Sequence, residues 1–256
     1  MTENGESVIS RVVRIVDAFD RDTLDLSLSA LAERSGLPIS TTHRLVTEMT
    51  RLGLLKRTAE KKLRLGARLW EMSSKGSDLL ALREAALPHL ESLRSQVGQH
   101  VNLAVLDADS VLFVERLSYR GSIPVARVAE RFPIHACSPG LVLLAFSPQD
   151  VQDEVLARPL IQATADTLTD PRVLRARMAE IRKQRFVSLP GSGISEWTGM
   201  AAPVADMDGI VVAAVSVIYP IGQEDELKAV AALHVAAQRI GRAMKVAIRE
   251  RCGPDS

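Results

Sequence analysis

Residues 27–57 read SLSALAERSGLPISTTHRLVTEMTRLGLLKR, and this stretch decides how the N-terminal part of the chain folds. Ser27 is a good N-cap for a short helix, and Gly36 supplies the left-handed residue that ends it. A second helix is predicted to begin at an N-cap at Ser40 and to run to Leu52. Two helices joined across a glycine-containing turn are typical of the helix-turn-helix, which places its second helix in the major groove of DNA.

The second helix has an apolar face and a polar face. Thr42, Leu45, Val46 and Met49 form the stripe that is predicted to point inward. Base-reading side chains come from the exposed face of such a helix. The residues on this face that we expect to contact DNA are Ser40, Thr41, His43, Arg44, Thr47 and Arg51.

The residues on either side of these helices complete a winged domain. Residues 7–20 have apolar positions at helical spacing, which predicts a preceding helix. Residues 54–57 and 62–65 are predicted to form a small hairpin, with Lys61 and Lys62 near its tip, where they would reach phosphate groups. An ordinary three-helix subdomain whose polar faces only meet water is the alternative.

The charge distribution supports a contact with a polyanion in this region. Between residues 38 and 68 there are eight basic and two acidic side chains, so the segment carries +6 in a chain whose net charge is +1. The remainder is therefore mildly acidic. Charge alone is equally well explained by a solvated surface. The apolar fraction of 46% indicates a folded protein with a core, and 256 residues favour two domains.

Several classes of protein are not supported by the sequence. No stretch approaches eighteen uncharged apolar residues, and residues 1–10 lack the features of a signal peptide, so we expect no membrane contact and a cytoplasmic protein. The two cysteines, Cys137 and Cys252, have neither C-x-x-C spacing nor clustered histidines. We therefore expect no disulfide framework, no metal site and no cofactor.

The second half of the chain is predicted to fold as α/β in the loose sense, α+β. Residues 75–97 are helical in pattern, but Pro88 is expected to break them into two helices. Predicted strands cover residues 100–106, 111–117, 123–128, 185–188, 200–206 and 210–218, and predicted helices cover 139–146, 148–157, 171–184 and 223–249. The glycines of Gly191-Ser192-Gly193 lack the strand and helix context of a dinucleotide site.

Several blocks of the chain resemble one known family. The helix-turn-helix stretch, LRLGARLWEM at 63–72, PIHACSPGLVLLAF at 133–146 and the segment 185–220 closely resemble the IclR family of bacterial regulators. The resemblance implies a winged helix-turn-helix over 1–74, a linker helix over 75–84, and a GAF-like mixed-sheet domain over 85–256 that binds an effector. It also implies a homodimer or homotetramer on double-stranded operator DNA.

The segment Ser138-Pro139-Gly140 is the best candidate for part of an effector site. Ser138 fits an N-cap and Pro139 the first helical position, which would leave the N–H groups of Gly140 and Leu141 free at the positive end of a helix. A carboxylate can bind at such an end. A well-capped helix that binds nothing is the alternative reading of the same residues.

The resemblance extends this site to a second wall, formed by the loop 189–199 and the final strand. The effector contacts that it implies are Ser138, Gly140, Leu141, Leu189, Trp197, Gly199, Ser216 and Ile218. Pro139, Leu141 and Leu189 depart from the family pattern and make the pocket more apolar than one for a two-carbon keto acid. The effector is therefore predicted to be an organic acid, with aromatic acids among the candidates.

Some side chains near this site allow two readings. Trp197 is equally suited to stacking on an aromatic effector and to anchoring its loop. Arg116, Arg127 and Arg131 are suited either to pairing with a ligand acid or to surface salt bridges.

Two other functions remain as alternatives. His135 and Cys137 lie close in sequence, as in a Cys/His hydrolase, but no third group orients the histidine, so we expect no catalytic residue. A constitutive DNA-binding dimer without an effector shares every N-terminal feature. A change of DNA affinity on ligand binding distinguishes it from a ligand-responsive regulator.

Overall fold

The computed structural model describes residues 6–20, 23–75, 77–119 and 131–252, and the chain divides into two compact units, residues 1–77 and 78–256. The first unit is mainly helical. Its elements are α1 (Val8–Asp17), α2 (Leu28–Ser35), α3 (Ile39–Arg51), β1 (Leu55–Arg57), β2 (Leu63–Leu65) and α4 (Ala67–Ser73).

The ends of α2 follow from the caps that the sequence predicts. The Ser27 hydroxyl accepts a hydrogen bond from the N–H of Ala30 at 3.1 Å, and Gly36 ends α2 with φ of 63°. The core is formed by buried side chains from all three long helices and the hairpin, including Ile15, Leu31 and Val46. The short helix α4 was not predicted, because about two turns carry too little periodicity to be recognised.

The second unit has a six-stranded sheet between two layers of helices. Its elements are α5 (Asp78–Val97), β3 (His100–Asp107), β4 (Ser110–Leu117), β5 (Arg131–Pro133), α6 (Ser138–Phe146), α7 (Gln149–Ala157), α8 (Pro171–Gln184), β6 (Val187–Pro190), β7 (Trp197–Ala205), β8 (Val211–Pro220) and α9 (Glu226–Cys252). A 3₁₀ turn, Ile134–Ala136, precedes α6. The predicted strand over 123–128 lies outside the described residues.

The sheet has the strand order β5-β4-β3-β8-β7-β6, and its described pairings are antiparallel. Because side chains alternate along a strand, each strand serves two cores. Val101, Leu103 and Val215 belong to the core that α5 and α9 cover, whereas Ala104 and Ala214 belong to the core that α6 and α8 cover. The α+β class with its N-terminal helix-turn-helix is thus confirmed.

The prediction that Pro88 separates two helices was wrong. The helix α5 continues through Pro88, which is exposed. A proline inside a helix costs roughly 3 kcal/mol. Burial of one large apolar side chain contributes about 1.5–3 kcal/mol, and Leu82, Leu90 and Leu93 are all buried on the face of α5 opposite to solvent. Packing therefore outweighs the proline. The linker helix over 75–84 stays a prediction.

Gly241 on α9 gives a direct test of how closely this helix packs on the sheet. A Cβ at Gly241 would lie 2.1 Å from the carbonyl oxygen of Ala205 on β7. Gly241→Ala is therefore expected to lower the free energy of unfolding by about 1–3 kcal/mol, measured by urea denaturation. At an exposed helical position the same change would raise it by about 0.5–1 kcal/mol. The control Gln238→Ala, one turn earlier and exposed, should change it by less than about 0.5 kcal/mol. A stabilised Gly241→Ala variant would contradict this packing.

Candidate DNA-binding surface and ligand cavity

The helix α3 buries one face and presents the other to solvent. Thr42, Leu45, Val46 and Met49 are buried, as predicted. On the opposite face Thr41 is half-buried, and the exposed residues are Ser40, His43, Arg44, Thr47 and Arg51. The six side chains predicted to contact DNA are thus not part of the core. Ser40 is not the N-cap, because the helix begins at Ile39 with Pro38 in the cap position and no side-chain cap bond.

The polar side chains on this face differ in whether they already form ion pairs or hydrogen bonds within the protein. Arg51 is ion-paired with Glu48, and the guanidinium holds the pKa of that carboxyl below its ordinary value. The Thr47 hydroxyl donates to the carbonyl oxygen of His43 at 2.9 Å. Arg44 has no ion pair within the described residues, so its guanidinium retains its full donor capacity for a base or a phosphate.

The wing is anchored to the body of its unit. Leu26 and Leu63 exchange two backbone hydrogen bonds, of 2.9 and 2.7 Å. The Nε of Arg64 donates to Oδ1 of Asp25 at 2.7 Å, and this arginine lowers the pKa of the carboxyl. At the tip, Lys61 adopts φ of 60° and is exposed, like Lys62. Neither lysine has an ion pair in the described part of the chain, and the hairpin therefore presents positive charge on a fixed support.

In the second unit a cavity lies between one face of the sheet and the start of α6. Its volume is about 60 Å³ for a water-sized sphere, and about 500 Å³ when all the space open to solvent is included. The lining residues are Asn102, Phe113, Phe132, Cys137, Ser138, Pro139, Leu189, Ser192, Gly193, Ile194, Trp197, Gly199, Ser216 and Ile218. None of these side chains is an acid or a base that is charged at neutral pH.

The register of the sheet explains which strand residues form the cavity floor. Gly199 pairs with Ile218, and Ser216 pairs with Asn102, so adjacent rows of the sheet contribute to one surface. Gly199 leaves room for α6, since a Cβ there would lie 2.7 Å from Oγ of Ser138. The floor and the helix start are therefore in direct contact at one edge of the cavity.

Six of the eight predicted effector residues line the cavity: Ser138, Leu189, Trp197, Gly199, Ser216 and Ile218. Gly140 and Leu141 do not. The helix begins one residue earlier than predicted, with Cys137 rather than Ser138 at the N-cap. The N–H of Leu141 consequently donates to the carbonyl oxygen of Cys137 at 3.0 Å, and that of Gly140 bonds to the Cys137 sulfur.

Other lining residues were not predicted as effector contacts. Asn102 and Phe113 lie on β3 and β4, and the alternation of those strands alone does not say which face carries a cavity. Phe132 precedes the block 133–146, and Pro139 lies inside the predicted segment Ser138-Pro139-Gly140, but neither was singled out as a contact. Asn102 had one available signal, because an isolated amide in an otherwise apolar strand is unusual in a core.

Trp197 is anchored by its neighbours, and its stacking on an aromatic effector stays a prediction. It lies on β7 rather than in a loop, and its backbone N–H donates to the carbonyl oxygen of Ile194. Its ring meets the His100 ring edge-on at a centroid distance of 6.3 Å, and it also lines the cavity. Burial, assisted by the charge of Arg116, lowers the pKa of His100, so this neighbour of Trp197 is neutral at pH 7.

Two of the three arginines considered for a ligand acid, Arg116 and Arg131, do not line the cavity. Arg131 is ion-paired with Asp107 and donates to Oγ of Ser110 at 2.9 Å. Arg116 pairs with Asn102 across β3 and β4 but does not contribute to the lining. Arg127 lies outside the described residues. The salt-bridge reading is thus the correct one for Arg131.

His135 and Cys137 are not arranged as a nucleophile and its base. Nε2 of His135 forms a hydrogen bond of 2.9 Å with the carbonyl oxygen of Ile161. The Cys137 thiol lies 3.9 Å from the carbonyl oxygen of Pro133, and burial raises its pKa to about 12. A thiol is a nucleophile as the thiolate, so this environment suppresses its reactivity.

Comparison with known proteins finds matches in both parts of the chain. The model described as the IclR helix-turn-helix domain matches residues 8–59, and the model described as the C-terminal part of bacterial transcriptional regulator IclR matches residues 77–242. The chain belongs to the IclR family of bacterial transcriptional regulators. The IclR-type DNA-binding and effector-binding regions therefore correspond to the two units of the structure.

Individual IclR relatives match over most of their length. The probable transcriptional regulator SauR of Cupriavidus necator is 27% identical over 232 residues, which cover 87% of this chain and 90% of SauR. The transcriptional repressor IclR of Escherichia coli is 27% identical and covers 70% of this chain, with 67% of its own length matched. The relatives that these matches name are regulators of transcription.

A solved structure of an IclR homologue from Microbacterium hydrocarbonoxydans, complexed with 4-hydroxybenzoate, has a TM-score of 0.88 to this chain. The two proteins are 41% identical, and the match covers 94% of this chain and 100% of the homologue. A second IclR homologue, from Microbacterium sp. strain HM58-2, is 39% identical, with a TM-score of 0.62, and the match covers 94% of this chain and 98% of that one.

The described residues contain neither a helix that could span a membrane nor a cluster that could hold a metal ion. Among the residues that the structure describes, no helix combines the length and apolarity needed to span a bilayer. The same residues contain no cluster of three or more His, Cys, Asp or Glu side chains placed to hold a metal ion.

Cys137 offers a test of the environment at the start of α6. With Cys252 replaced by serine, iodoacetamide at pH 8 should modify Cys137 of the folded protein on the order of a thousandfold more slowly than in urea, because the folded pKa of about 12 exceeds the ordinary value of 9.0. Mass spectrometry measures the modified fraction. Equal rates in the two states would contradict the buried, neutral thiol and would revive a nucleophilic role.

Proposed function

We propose that this chain is a transcriptional regulator that binds operator DNA through α3 and the wing, and that a small aromatic acid in the cavity modulates its operator affinity. The DNA contact is carried by one observation: the outward face of α3 exposes Arg44 without an ion pair among the described residues, next to a basic hairpin. Double-stranded operator DNA offers both the groove for such a helix and the phosphates for the hairpin.

The proposed DNA contacts divide into two roles. One face of α3 is proposed to contact base edges in the DNA groove. It carries Arg44 and His43, with Ser40, Thr41 and Thr47 beside them. Lys61, Lys62 and Arg51 contribute mainly to phosphate binding, which gives affinity but little sequence choice. Arg51 must exchange its partner Glu48 for phosphate, so its net contribution is smaller than that of an unpaired arginine.

The effector proposal is supported by the composition of the cavity. Phe113, Phe132 and Trp197 supply aromatic surface, and no lining side chain is charged. The IclR homologue with 41% identity binds 4-hydroxybenzoate in its solved structure, which makes this compound the first one to test. The aromatic and apolar lining suits a ring better than it suits a two-carbon acid.

The acid group of the effector is proposed to bind at the start of α6. Pro139 has no N–H, and those of Gly140 and Leu141 are already bonded to Cys137. The backbone N–H and hydroxyl of Ser138 therefore remain as the donors at the positive end of the helix. A carboxylate held by so few donors favours a ligand that gains most of its affinity from apolar contact.

The regulatory step follows from thermodynamic linkage. The effector changes operator affinity only if it binds the operator-bound and unbound states of the protein with different affinities. By reciprocity the operator changes effector affinity by the same factor. A regulator of this kind works in the bacterial cytoplasm and needs no catalytic residue, in agreement with relatives that are named as regulators.

A second copy of the chain is the proposed partner of the first unit. On α1 the side chains of Val8, Ile9 and Val13 are exposed, Ile9 to 76%, and on α4 Trp70 is exposed to 67%. Apolar side chains at this density on one small unit are typical of an interface. A homodimer, or a tetramer of such dimers, would cover them and bring two α3 helices to one operator.

The variant Arg44→Ala tests the DNA contact. It should weaken binding to the cognate operator by about 1–3 kcal/mol and reduce the preference over random DNA, because a base contact is lost. The double variant Lys61→Ala with Lys62→Ala should instead weaken binding to both DNAs and flatten the salt dependence. Fluorescence anisotropy over a salt series measures both effects. Unchanged operator affinity in Arg44→Ala would remove this residue from the base-reading set.

Titration with 4-hydroxybenzoate tests the effector. The operator affinity of the full chain should change in its presence, by a factor that equals the change in ligand affinity caused by operator. Glyoxylate, a two-carbon keto acid, serves as the control and should have little effect. If no aromatic or aliphatic acid of a broad panel changes operator affinity, the constitutive DNA-binding dimer becomes the better account.

A further inference from the structure

The cavity floor contains a polar atom that the fold leaves without a partner. Asn102 on β3 is 1% exposed and lines the cavity. Its Nδ2 donates to Oγ of Ser216 on β8 at 3.3 Å, but Oδ1 has no hydrogen-bond partner within the described residues. A buried carbonyl oxygen without a donor is destabilising, and most such groups in folded proteins are bonded.

We propose that Asn102 selects for a hydroxyl group on the ligand, whose proton is donated to Oδ1. This inference rests on the proposed effector function of the cavity and adds to it a class of ligand, the hydroxylated aromatic acids. A carboxylate cannot take this position, since it has no proton to donate and would face the negative end of the amide dipole.

The amide of Asn102 contacts its neighbour across the sheet through Nδ2. Asn102 and Ser216 are paired directly between β3 and β8, and Ser216 is also 1% exposed. Because Nδ2 is held by Ser216, the opposite atom of the planar amide is the one left for the ligand. The two residues therefore act together, with Ser216 as the positioning residue.

The distance across the floor suits a ligand with polar groups at opposite ends. Ser138 packs on Gly199 of β7, and Gly199 pairs with Ile218 of β8. Asn102 lies on β3, the next strand beyond β8, and is two residues along from the position level with Gly199. With about 4.8 Å between strands and about 3.4 Å per residue, the two Cα atoms are about 12 Å apart. One aromatic ring, with a hydrogen bond at each end, spans a gap of this order. The acid then lies at Ser138 and the hydroxyl at Asn102.

Two ligands of matched size test the proposal on the wild-type protein. Isothermal titration calorimetry should give 4-hydroxybenzoate an affinity at least about tenfold higher than that of 4-methylbenzoate, which replaces the hydroxyl by a methyl group of similar volume. This comparison needs no variant. Binding of both compounds with equal affinity contradicts the role of Asn102 and leaves the proposed function intact, whereas binding of neither contradicts both.

The variant Asn102→Leu assigns the preference to this residue. It removes the unpaired carbonyl without leaving a hole, so thermal unfolding should show a folded protein. We expect the preference for 4-hydroxybenzoate to fall to within about threefold, with tighter binding of 4-methylbenzoate. The control Gln238→Ala, on α9 and outside the cavity lining, should keep the full preference. Retention of the preference in folded Asn102→Leu would overturn the proposal.

Discussion

The start of α6 lies against the sheet and against its own preceding turn at two glycines, and the cavity exists because of this close approach. A Cβ at Gly140 would lie 2.1 Å from the carbonyl oxygen of Ile134, and one at Gly199 would lie 2.7 Å from Oγ of Ser138. Side chains larger than hydrogen at these positions would push the helix away. The position of the helix start beside the cavity is therefore set by these two close contacts, one to a backbone oxygen and one to the Ser138 side chain.

The sheet connects this cavity to the rest of the second unit. Each central strand has one set of side chains in the core under α5 and α9, and the other set faces α6 and the cavity. Along β3, Asn102 lies between Val101 and Leu103. Along β8, Ser216 lies between Val215 and Val217, and all four of these neighbours are buried in the opposite core. Because these strands are held by buried neighbours, the polar floor of the cavity is rigid. A rigid floor disfavours any ligand that leaves its buried polar atoms without a hydrogen bond.

Part of this architecture could be predicted from the sequence because it depends on local rules. Ser27 and Gly36 mark the ends of α2 by cap chemistry, and the stripe from Thr42 to Met49 marks the buried face of α3. The rest depends on tertiary packing. Whether α5 continues through Pro88 is decided by side chains that it buries against distant elements. The N-cap of α6 is Cys137 rather than the predicted Ser138, because Cys137 has an extended backbone where it follows the 3₁₀ turn.

Asn102 was missed for a related reason, since a strand pattern gives alternation but not the location of a cavity. The crystal structure of the chain grown with 4-hydroxybenzoate measures the central claim most directly. The account predicts difference density for the ligand in the cavity, with its carboxylate at the N–H of Ser138 and its hydroxyl within hydrogen-bond distance of Oδ1 of Asn102. A cavity that holds only water at saturating ligand, or a ligand bound elsewhere on the chain, would contradict it.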